Sequence, residues 1–155
     1  MLKPSELLFL HFEASIHRGA CLELFDSNVP DYFLPPERAE FEAFLDDLPG
    51  PYFVGEIGDR VVACGGYAVD AETGRADLCW GMVHGELHRR GLGRRLARHR
   101  IEGALTDPGV SQVALQTSQH TADFYRALGF EVVEIEADGF GPGMDRYDMR
   151  RPVER

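Results

Sequence analysis

Apolar residues along the chain fall into short blocks, and their spacing predicts which blocks are strands and which are helices. Residues 8–13 form an apolar run typical of a strand, and residues 16–25 repeat apolar side chains at helical spacing. The pair Pro35-Pro36 favours the start of a second helix, which the sequence Pro49-Gly50-Pro51 must end. The first third of the chain therefore predicts a strand followed by two helices.

Three strand-like runs follow in quick succession, at residues 52–57, 61–69 and 76–83. The polar turns between them are short, which favours antiparallel neighbours. A glycine-rich segment, residues 138–143, predicts the loop of a final hairpin. The remaining elements are predicted as helices at 92–105 and 121–128, the second closed by Gly129, and strands at 113–117, 130–136 and 145–151.

The resulting order β-α-α-β-β-β-α-β-α-β-β predicts an α+β fold built on a mixed sheet. The antiparallel strands are consecutive and the helical crossovers come late, which excludes both a pure meander and a doubly wound fold. Neither a repeat nor a low-complexity linker divides the sequence. We therefore expect a single domain over residues 1–155.

Composition narrows the range of partners. The chain has 155 residues, 44% of them hydrophobic and 27% charged, which is an ordinary globular mixture. Its 16 Lys and Arg against 26 Asp and Glu give a net charge of −10. That sign argues against nucleic acid or an anionic membrane as the main partner, and it favours a cationic or amine-bearing one.

The cysteines and the N-terminal residues indicate the cellular compartment in which the protein is expected. The three cysteines are far apart and form no C-x-x-C pair, so neither a disulfide framework nor a metal site is expected. The first residues lack the pattern of a signal peptide, and no run of 18 apolar residues predicts a membrane span. The expected location is the reducing cytoplasm.

One short segment reverses the overall charge. Residues 84–100 carry six arginines against one glutamate, and they contain the glycine turn His88-Arg-Arg-Gly-Leu-Gly93 between a predicted strand and helix. Free N–H groups at a helix start attract an anion, and glycines let its oxygens approach the backbone. Arginines add charge-assisted bonds to phosphate. A solvated basic helix face is the alternative interpretation.

Two other phosphate-binding motifs do not fit this turn. A Walker A loop ends in Gly-Lys-Ser or Gly-Lys-Thr, whereas this turn continues as Gly-Arg-Arg. A dinucleotide fingerprint needs a third glycine where Leu96 stands, and it needs a parallel βαβ unit before it. A pyrophosphate bound by the turn itself is the remaining prediction.

Residues 78–96 resemble the acyl-CoA-binding motif of the GNAT acetyltransferase superfamily, whose pattern is Gln/Arg-x-x-Gly-x-Gly/Ala. The segment Phe124-Tyr125-Arg-Ala-Leu-Gly-Phe130 resembles the second motif of that family. The predicted element order also matches, so the resemblance covers nearly the whole chain. Two positions depart from the family pattern. His88 stands in place of Gln or Arg, and Ser118 stands where an Asn is common.

The resemblance implies acetyl-CoA as co-substrate and a set of residues that bind it. The backbone around the glycine turn would hold the pyrophosphate, and two residues at the end of the preceding strand would offer main-chain groups to pantetheine and the acyl carbonyl. The implied set is Met82, Val83, His88, Arg89, Arg90, Gly91, Leu92, Gly93, Arg94 and Ser118. Gly81 would ease an irregularity in that strand.

Acyl transfer also needs an acid for the leaving thiolate and a route for the proton of the amine. The resemblance puts Tyr125 near the CoA thiol as the general acid, although an aromatic side chain at this spacing also suits a core. Asp77 and His120 are nominated as the base. Other polar residues near strand or helix ends stay open as alternatives: Glu56, Tyr67, His84 and Glu86.

The acceptor side is predicted from charge. Acidic and aromatic residues between the first two helices could form an entrance for a cation, with the loop around Phe140 as a wall. The entrance residues are Asp26, Asp31, Tyr32, Phe33, Glu37 and Glu40. An exposed sheet edge could pair with a second copy, so a homodimer is the oligomer considered.

Together these features predict transfer of an acetyl group from acetyl-CoA to a primary amine of a small molecule or peptide. The attack would be direct, within a ternary complex. Two other classes stay open: a non-catalytic acyl-CoA-binding sensor or interaction module, and a protein that only shares a phosphate-binding turn.

Overall fold

The computed structural model of the chain describes residues 2–154, which form seven strands and four α-helices. Short 3-10 turns occupy Pro4–Glu6 and Gly85–Leu87. The elements are β1 Leu8–His11, α1 Ala14–Asp26, α2 Glu37–Asp46, β2 Tyr52–Ile57, β3 Arg60–Asp70, β4 Arg75–Val83, α3 Leu92–Ala104, β5 Gln112–Thr117, α4 Ala122–Arg126, β6 Glu131–Gly141 and β7 Met144–Pro152. The predicted order and the α+β class are confirmed.

A single seven-stranded sheet runs in the order β1-β2-β3-β4-β5-β7-β6. The predicted antiparallel meander of β2, β3 and β4 is present, and β5, β7 and β6 also pair antiparallel. The contact between β4 and β5 is parallel, and it joins the two antiparallel parts in the middle of the sheet. This parallel contact is where α3 crosses over the sheet.

Helices cover both faces of the sheet. Cys64 and Met82 pack with the apolar residues of α1 and α2, whereas their neighbours Ala63 and Val83 pack with Leu92 and Leu96 of α3. This alternation is expected, because successive side chains of a strand point to opposite faces. None of the helices within residues 2–154 is long and apolar enough to cross a membrane.

The final hairpin differs from its prediction. Residues 138–143 were expected to be a loop, but β6 continues to Gly141 and only two residues separate it from β7. The extra residues form a wide bulge, in which Glu136 pairs with Arg146 and Gly141 with Met144. Asp138 holds the bulge, because its Oδ1 accepts a 2.8 Å hydrogen bond from the Gly143 N–H.

Gly129 ends the turn that carries Tyr125, as predicted. Its φ is +92°, a conformation that glycine adopts without strain. Phe130 N–H donates to Tyr125 O at 3.1 Å and Gly129 N–H donates to Arg126 O at 3.0 Å, which is the Schellman pattern. The helix end therefore fixes the main chain of Tyr125.

Candidate active site

The site is a cleft where β4 and β5 separate. Their parallel pairing covers only Arg75↔Gln112, Ala76↔Val113 and Asp77↔Ala114. Beyond Asp77 the strands diverge, and the cleft between them has a volume of about 1130 Å³. Side chains of the α1–α2 connection, the glycine turn and α4 also line it. The cleft therefore opens to both faces of the sheet.

A bulge in β4 lies in the wall of this cleft. The register passes from Gly66↔Cys79 to Cys64↔Met82, so an extra residue is accommodated around Trp80, whose φ is +42°. The Trp80 ring packs against Phe41 with a centroid distance of 5.0 Å. The Tyr52 hydroxyl donates to Trp80 O at 2.7 Å. The irregularity predicted near Gly81 is present, and buried aromatic groups hold it.

After the bulge, the main chain of Val83 faces the cleft. His84 N–H donates to Val62 O at 2.9 Å, which makes Ala63↔Val83 a pair that exchanges no hydrogen bonds with each other. The N–H and C=O of Val83 therefore point away from β3. By the same alternation Met82 exchanges its bonds with Cys64, so its main-chain groups are turned away from the cleft, unlike the prediction for this residue.

The glycine turn follows directly. Arg89 and Gly91 have φ of +65° and +81°, and α3 begins at Leu92. No atom outside the turn lies within 4 Å of the position that a Gly91 side chain would take, so its backbone is open to a ligand. A side-chain carbon on Gly93 would make ordinary contact with Phe124 at 3.5 Å, so α4 lies directly beside the turn.

The arginines of the basic segment have separate positions. Arg89 and Arg94 line the cleft, and Arg90 is exposed. Arg95 donates to Leu7 O at 3.3 Å and so holds the N-terminal segment on α3. Arg100 is 2% exposed and lies below the bulge. The basic segment is therefore only partly a solvated face.

Two of the implied CoA-binding side chains have partners inside the protein. His88 Nε2 lies 3.0 Å from Val83 O, so its ring is turned inward. Ser118 is 5% exposed, and its Oγ accepts a 3.2 Å hydrogen bond from His120 N–H at the entrance to α4. Leu92 is also buried, in the core. His88 and Ser118 line the cleft with their polar atoms bonded inside the protein, whereas Leu92 is a core residue.

Tyr125 lines the cleft from α4. Its ring makes edge contacts with Phe124 and Phe130, at centroid distances of 5.0 and 5.8 Å. Its hydroxyl oxygen accepts a hydrogen bond from Arg100 Nη2 at 3.5 Å. The ring thus packs as a core residue would, while the hydroxyl remains at the cleft.

The two nominated bases both line the cleft but differ in their surroundings. Arg75 occupies both carboxylate oxygens of Asp77, with Nε 3.0 Å from Oδ1 and Nη2 3.2 Å from Oδ2. The His120 ring lies 6.4 Å from Tyr32, which also contacts His88 at 4.9 Å. Tyr32 thus brings the α1–α2 connection against the glycine turn.

The alternative bases lie elsewhere. Glu56 and His84 line a separate hollow beside α1, Tyr67 packs against Gly103 of α3, and Glu86 is exposed. Among residues 2–154, His, Cys, Asp and Glu side chains form no group of three or more that could hold a metal ion.

Glu37 is a buried acid that the charge argument had placed only at the entrance. It is 5% exposed, lines the cleft and accepts a 2.7 Å hydrogen bond from Leu34 N–H at the start of α2. Burial raises the pKa of the Glu37 carboxyl, although the hydrogen bond from Leu34 opposes this. The sequence signal was a Glu directly after Pro35-Pro36, three residues beyond the amide from which it accepts, which is the spacing of the Glu and the N–H in a capping box.

Cys79 is the thiol of the cleft wall. Burial raises the pKa of Cys79 to about 11, with Arg100 opposing this rise and Asp77 adding to it. The side chain is therefore a thiol at neutral pH, and a thiol is a weak nucleophile.

The profile of the family described as Acetyltransferase (GNAT) family matches residues 20–130. That match spans both motifs and most of the sheet. The chain belongs to the GNAT acetyltransferase family. Comparison with curated protein sequences gave no match.

Solved structures share this GNAT fold at low sequence identity. The ribosomal-protein-S18-alanine N-acetyltransferase of Escherichia coli has a TM-score of 0.79 at 20% identity, covering 96% of this chain and 95% of that one. A Bacillus subtilis acetyltransferase in complex with CoA has a TM-score of 0.71 at 16% identity, covering 96% and 99%. The aminoglycoside 6'-N-acetyltransferase of Enterococcus faecium has a TM-score of 0.73 at 14% identity, covering 96% and 98%.

The cleft of this GNAT protein brings together most of the residues predicted for it. Tyr125, Asp77 and His120 reach it from three different elements. Asn28 and Arg100 were not predicted as site residues, because each acquires its place from packing between elements distant in sequence. Glu37 was predicted only as an entrance residue, and its burial in the cleft was not predicted.

Proposed function

We propose that this protein is an acetyl-CoA-dependent N-acetyltransferase acting on a primary amine of a small molecule or peptide. The observation that carries the proposal is the combination of the Val83 main chain, turned to an open gap in the sheet, with the glycine turn that follows it. The carbonyl oxygen of a thioester placed in the gap can accept a hydrogen bond from the backbone N–H of Val83. Its pyrophosphate would then lie at the start of α3.

The positive charges around the glycine turn favour binding of an anionic co-substrate. Arg89 and Arg94 line the cleft, and the N-terminal amides of α3 lie beside them. Both groups attract phosphate oxygens, the arginines through charge-assisted hydrogen bonds. CoA is the acyl carrier that the family membership favours.

The acceptor would enter from the opposite side, past Tyr32, Glu37 and Glu40. Two acidic side chains and an aromatic ring favour an amine in its cationic form at the entrance. The neighbouring structures include enzymes named for an alanine of a ribosomal protein and for aminoglycosides. Acceptors of both sizes therefore belong in a substrate panel.

In the proposed reaction the neutral amine attacks the thioester carbonyl carbon directly. Tyr125 gives its proton to the thiolate that leaves when the carbon–sulfur bond breaks, and the surplus proton of the nitrogen passes to the acceptor side. Arg75 already occupies the carboxylate of Asp77, which leaves His120 and Glu37 as the better placed bases. The reaction is proposed for the cytoplasm, with no nucleic-acid or membrane partner.

The test is a thiol-release assay. Protein and acetyl-CoA are mixed with amino acids, polyamines, aminoglycosides and peptides that begin with alanine, and free CoA is followed. At least one amine should accelerate thiol release, with initial-rate patterns of a ternary complex. Calorimetric binding of CoA without release across the panel would favour the sensor, and no binding of CoA would reject both.

A further inference from the structure

Arg100 is a buried cation at the centre of the molecule. It projects from α3 and is 2% exposed. Its guanidinium lies against the backbone of two strands, because a side-chain carbon on Gly81 would be 2.5 Å from Nη2 and one on Gly65 would be 3.1 Å from Cδ. The two glycines, one on β3 and one in the β4 bulge, together make the space that this side chain fills.

Within residues 2–154, no carboxylate lies within ion-pair distance of Arg100, and its buried Nε has no hydrogen-bond partner. Its one side-chain hydrogen bond in this part of the chain is to the Tyr125 hydroxyl, at 3.5 Å. A buried charge without a partner is costly to the folded state. Because Arg100 also lines the cleft, the group that completes its interactions is expected there as an anion.

The contact with Arg100 determines which hydrogen bonds the Tyr125 hydroxyl can make. A guanidinium can only donate hydrogen bonds, so the Tyr125 oxygen acts as the acceptor. The hydroxyl hydrogen is then free to donate to another group. The positive charge of Arg100 also favours any negative charge that develops on Tyr125 or on its hydrogen-bond partner.

We propose that Arg100 and Tyr125 together form a thiolate site that binds the sulfur of CoA in its anionic form. This inference rests on the proposed function, which puts the CoA sulfur beside Tyr125. Arg100 is a positioning residue that acts through Tyr125 and through its charge. Tyr125 is the group that contacts sulfur.

The thiolate site acts both when CoA binds and when the acetyl group is transferred. When CoA binds, the thiol loses its proton to solvent, and the thiolate accepts a hydrogen bond from Tyr125. During transfer, the electron pair of the breaking carbon–sulfur bond passes to sulfur, and the Tyr125 hydrogen bond and the charge of Arg100 stabilise the thiolate that forms. The Tyr125 proton moves to sulfur only as CoA leaves the site. The tyrosine oxygen is paired with Arg100 until it recovers a proton from solvent. Because the thioester substrate is uncharged at sulfur, this stabilisation favours the transition state.

The test compares binding of CoA with binding of dethio-CoA, in which hydrogen replaces the thiol, by calorimetry at pH 7 and pH 9. In the wild-type protein, the affinity for CoA divided by the affinity for dethio-CoA should rise by about tenfold from pH 7 to pH 9. The reason is that a nearby cation favours the ionised sulfur. Arg100→Gln should abolish the rise, and Arg100→Lys should restore part of it. Arg98→Gln changes an exposed arginine of the same helix and should retain the full rise.

Binding of dethio-CoA also reports whether each variant keeps a folded cleft. A wild-type ratio that does not change with pH overturns the proposal, whatever the variants do. An equal rise in wild type and Arg100→Gln overturns it as well. So does tighter binding of succinyl-CoA than of acetyl-CoA that is lost in Arg100→Gln, because the anion would then be an acyl carboxylate.

The measurement needs no amine acceptor, so the two proposals fail separately. If the CoA to dethio-CoA affinity ratio rises with pH but no amine in the panel accelerates thiol release, catalysis is rejected and the thiolate site is supported. Thiol release with a flat ratio would support the transferase and reject the role of Arg100.

Discussion

Asn28 Nδ2 donates a 2.9 Å hydrogen bond to the carbonyl oxygen of Val83, 55 residues further along the chain. Asn28 is 3% exposed, and the same amide donates to Leu24 O at 2.8 Å in the last turn of α1. One side chain therefore connects the end of α1 to the end of β4. The position of the Val83 amide in the cleft depends on a residue outside both sequence motifs.

Replacing Asn28 with Ala should lower the free energy of unfolding by about 1–3 kcal/mol, because two buried carbonyl groups lose a donor. It should also raise the KM for acetyl-CoA, since the Val83 carbonyl then keeps only the contact with His88 and loses its link to α1. Ser27→Ala is the control for the shared Leu24 carbonyl, because Ser27 Oγ donates to Leu24 O at 2.7 Å and accepts from Gly85 N–H at 2.9 Å, and neither bond involves Val83. Equal effects of the two variants on KM would contradict the role given to Asn28.

Tyr125→Phe should reduce kcat by about 100-fold with little change in the affinity for CoA, because only the proton donor is removed. The ring packing against Phe124 and Phe130 should be retained. Tyr147→Phe removes a hydroxyl from the same apolar cluster outside the cleft, and it should leave the rate unchanged. An unaltered kcat in Tyr125→Phe would remove this residue from the mechanism.

Gly91→Asp should reduce CoA affinity by about 100-fold or more, through a lost backbone approach and an added negative charge. Gly58→Asp is a close control in the β2–β3 turn. Both glycines have positive φ, +81° and +61°, and neither side-chain position has an atom within 4 Å. Calorimetry and thermal unfolding should show similar losses of stability but a loss of CoA binding in Gly91→Asp alone. Tight binding by that variant would mean that the pyrophosphate lies elsewhere.

Glu37→Gln should stabilise the protein more at pH 7 than at pH 4. Burial raises the pKa of Glu37 in the folded state, so the folded chain binds this proton more tightly than the unfolded chain. The free energy of unfolding therefore falls as pH rises from the pKa of Glu37 in the unfolded chain through its pKa in the folded chain. Glu37→Gln has no such group at this position, so it does not lose this stability. The measurement is Tm against pH, with Glu72→Gln, an exposed acid in the β3–β4 turn, as control. A difference in Tm that does not grow with pH would contradict the burial argument.

Cys79→Ala should retain transferase activity within about a factor of three, the span expected when no bond-forming group is removed. With its pKa near 11, Cys79 is too weakly ionised at pH 7 to carry the acetyl group as a thioester. Mass spectrometry after incubation with acetyl-CoA alone should show no acetylated Cys79. A labelled cysteine, with parallel initial-rate lines, would instead indicate a covalent intermediate.

Local patterns predicted the element order because each helix or strand carries its own periodicity and its own turn residues. The hairpin of β6 and β7 was predicted with too long a loop, since Asp138 and the glycines near it have loop composition. Their strand geometry depends on hydrogen bonds across the bulge, such as that from Asp138 N–H to Asp145 Oδ1 at 2.9 Å. Such cross-strand bonds leave no local signal in the sequence.

The site residues also divide into those with a local sequence signal and those placed by contacts between distant elements. Gly91 and Tyr125 were predictable because short motifs carry them. The burial of Arg100 was not, because the space that it fills is made by Gly65 and Gly81 on two other elements. In the sequence, Arg100 is one arginine among six in a basic segment.

The three residue pairs that join β4 to β5 also have a mechanical consequence. In the sheet they are the backbone connection between a four-stranded half, β1 to β4, and a three-stranded half, β5, β7 and β6. A molecule held in the open end of the gap touches both halves, and its binding energy then also resists their separation. Loading with CoA should accordingly slow amide hydrogen exchange in strands on both sides, including those that it does not contact.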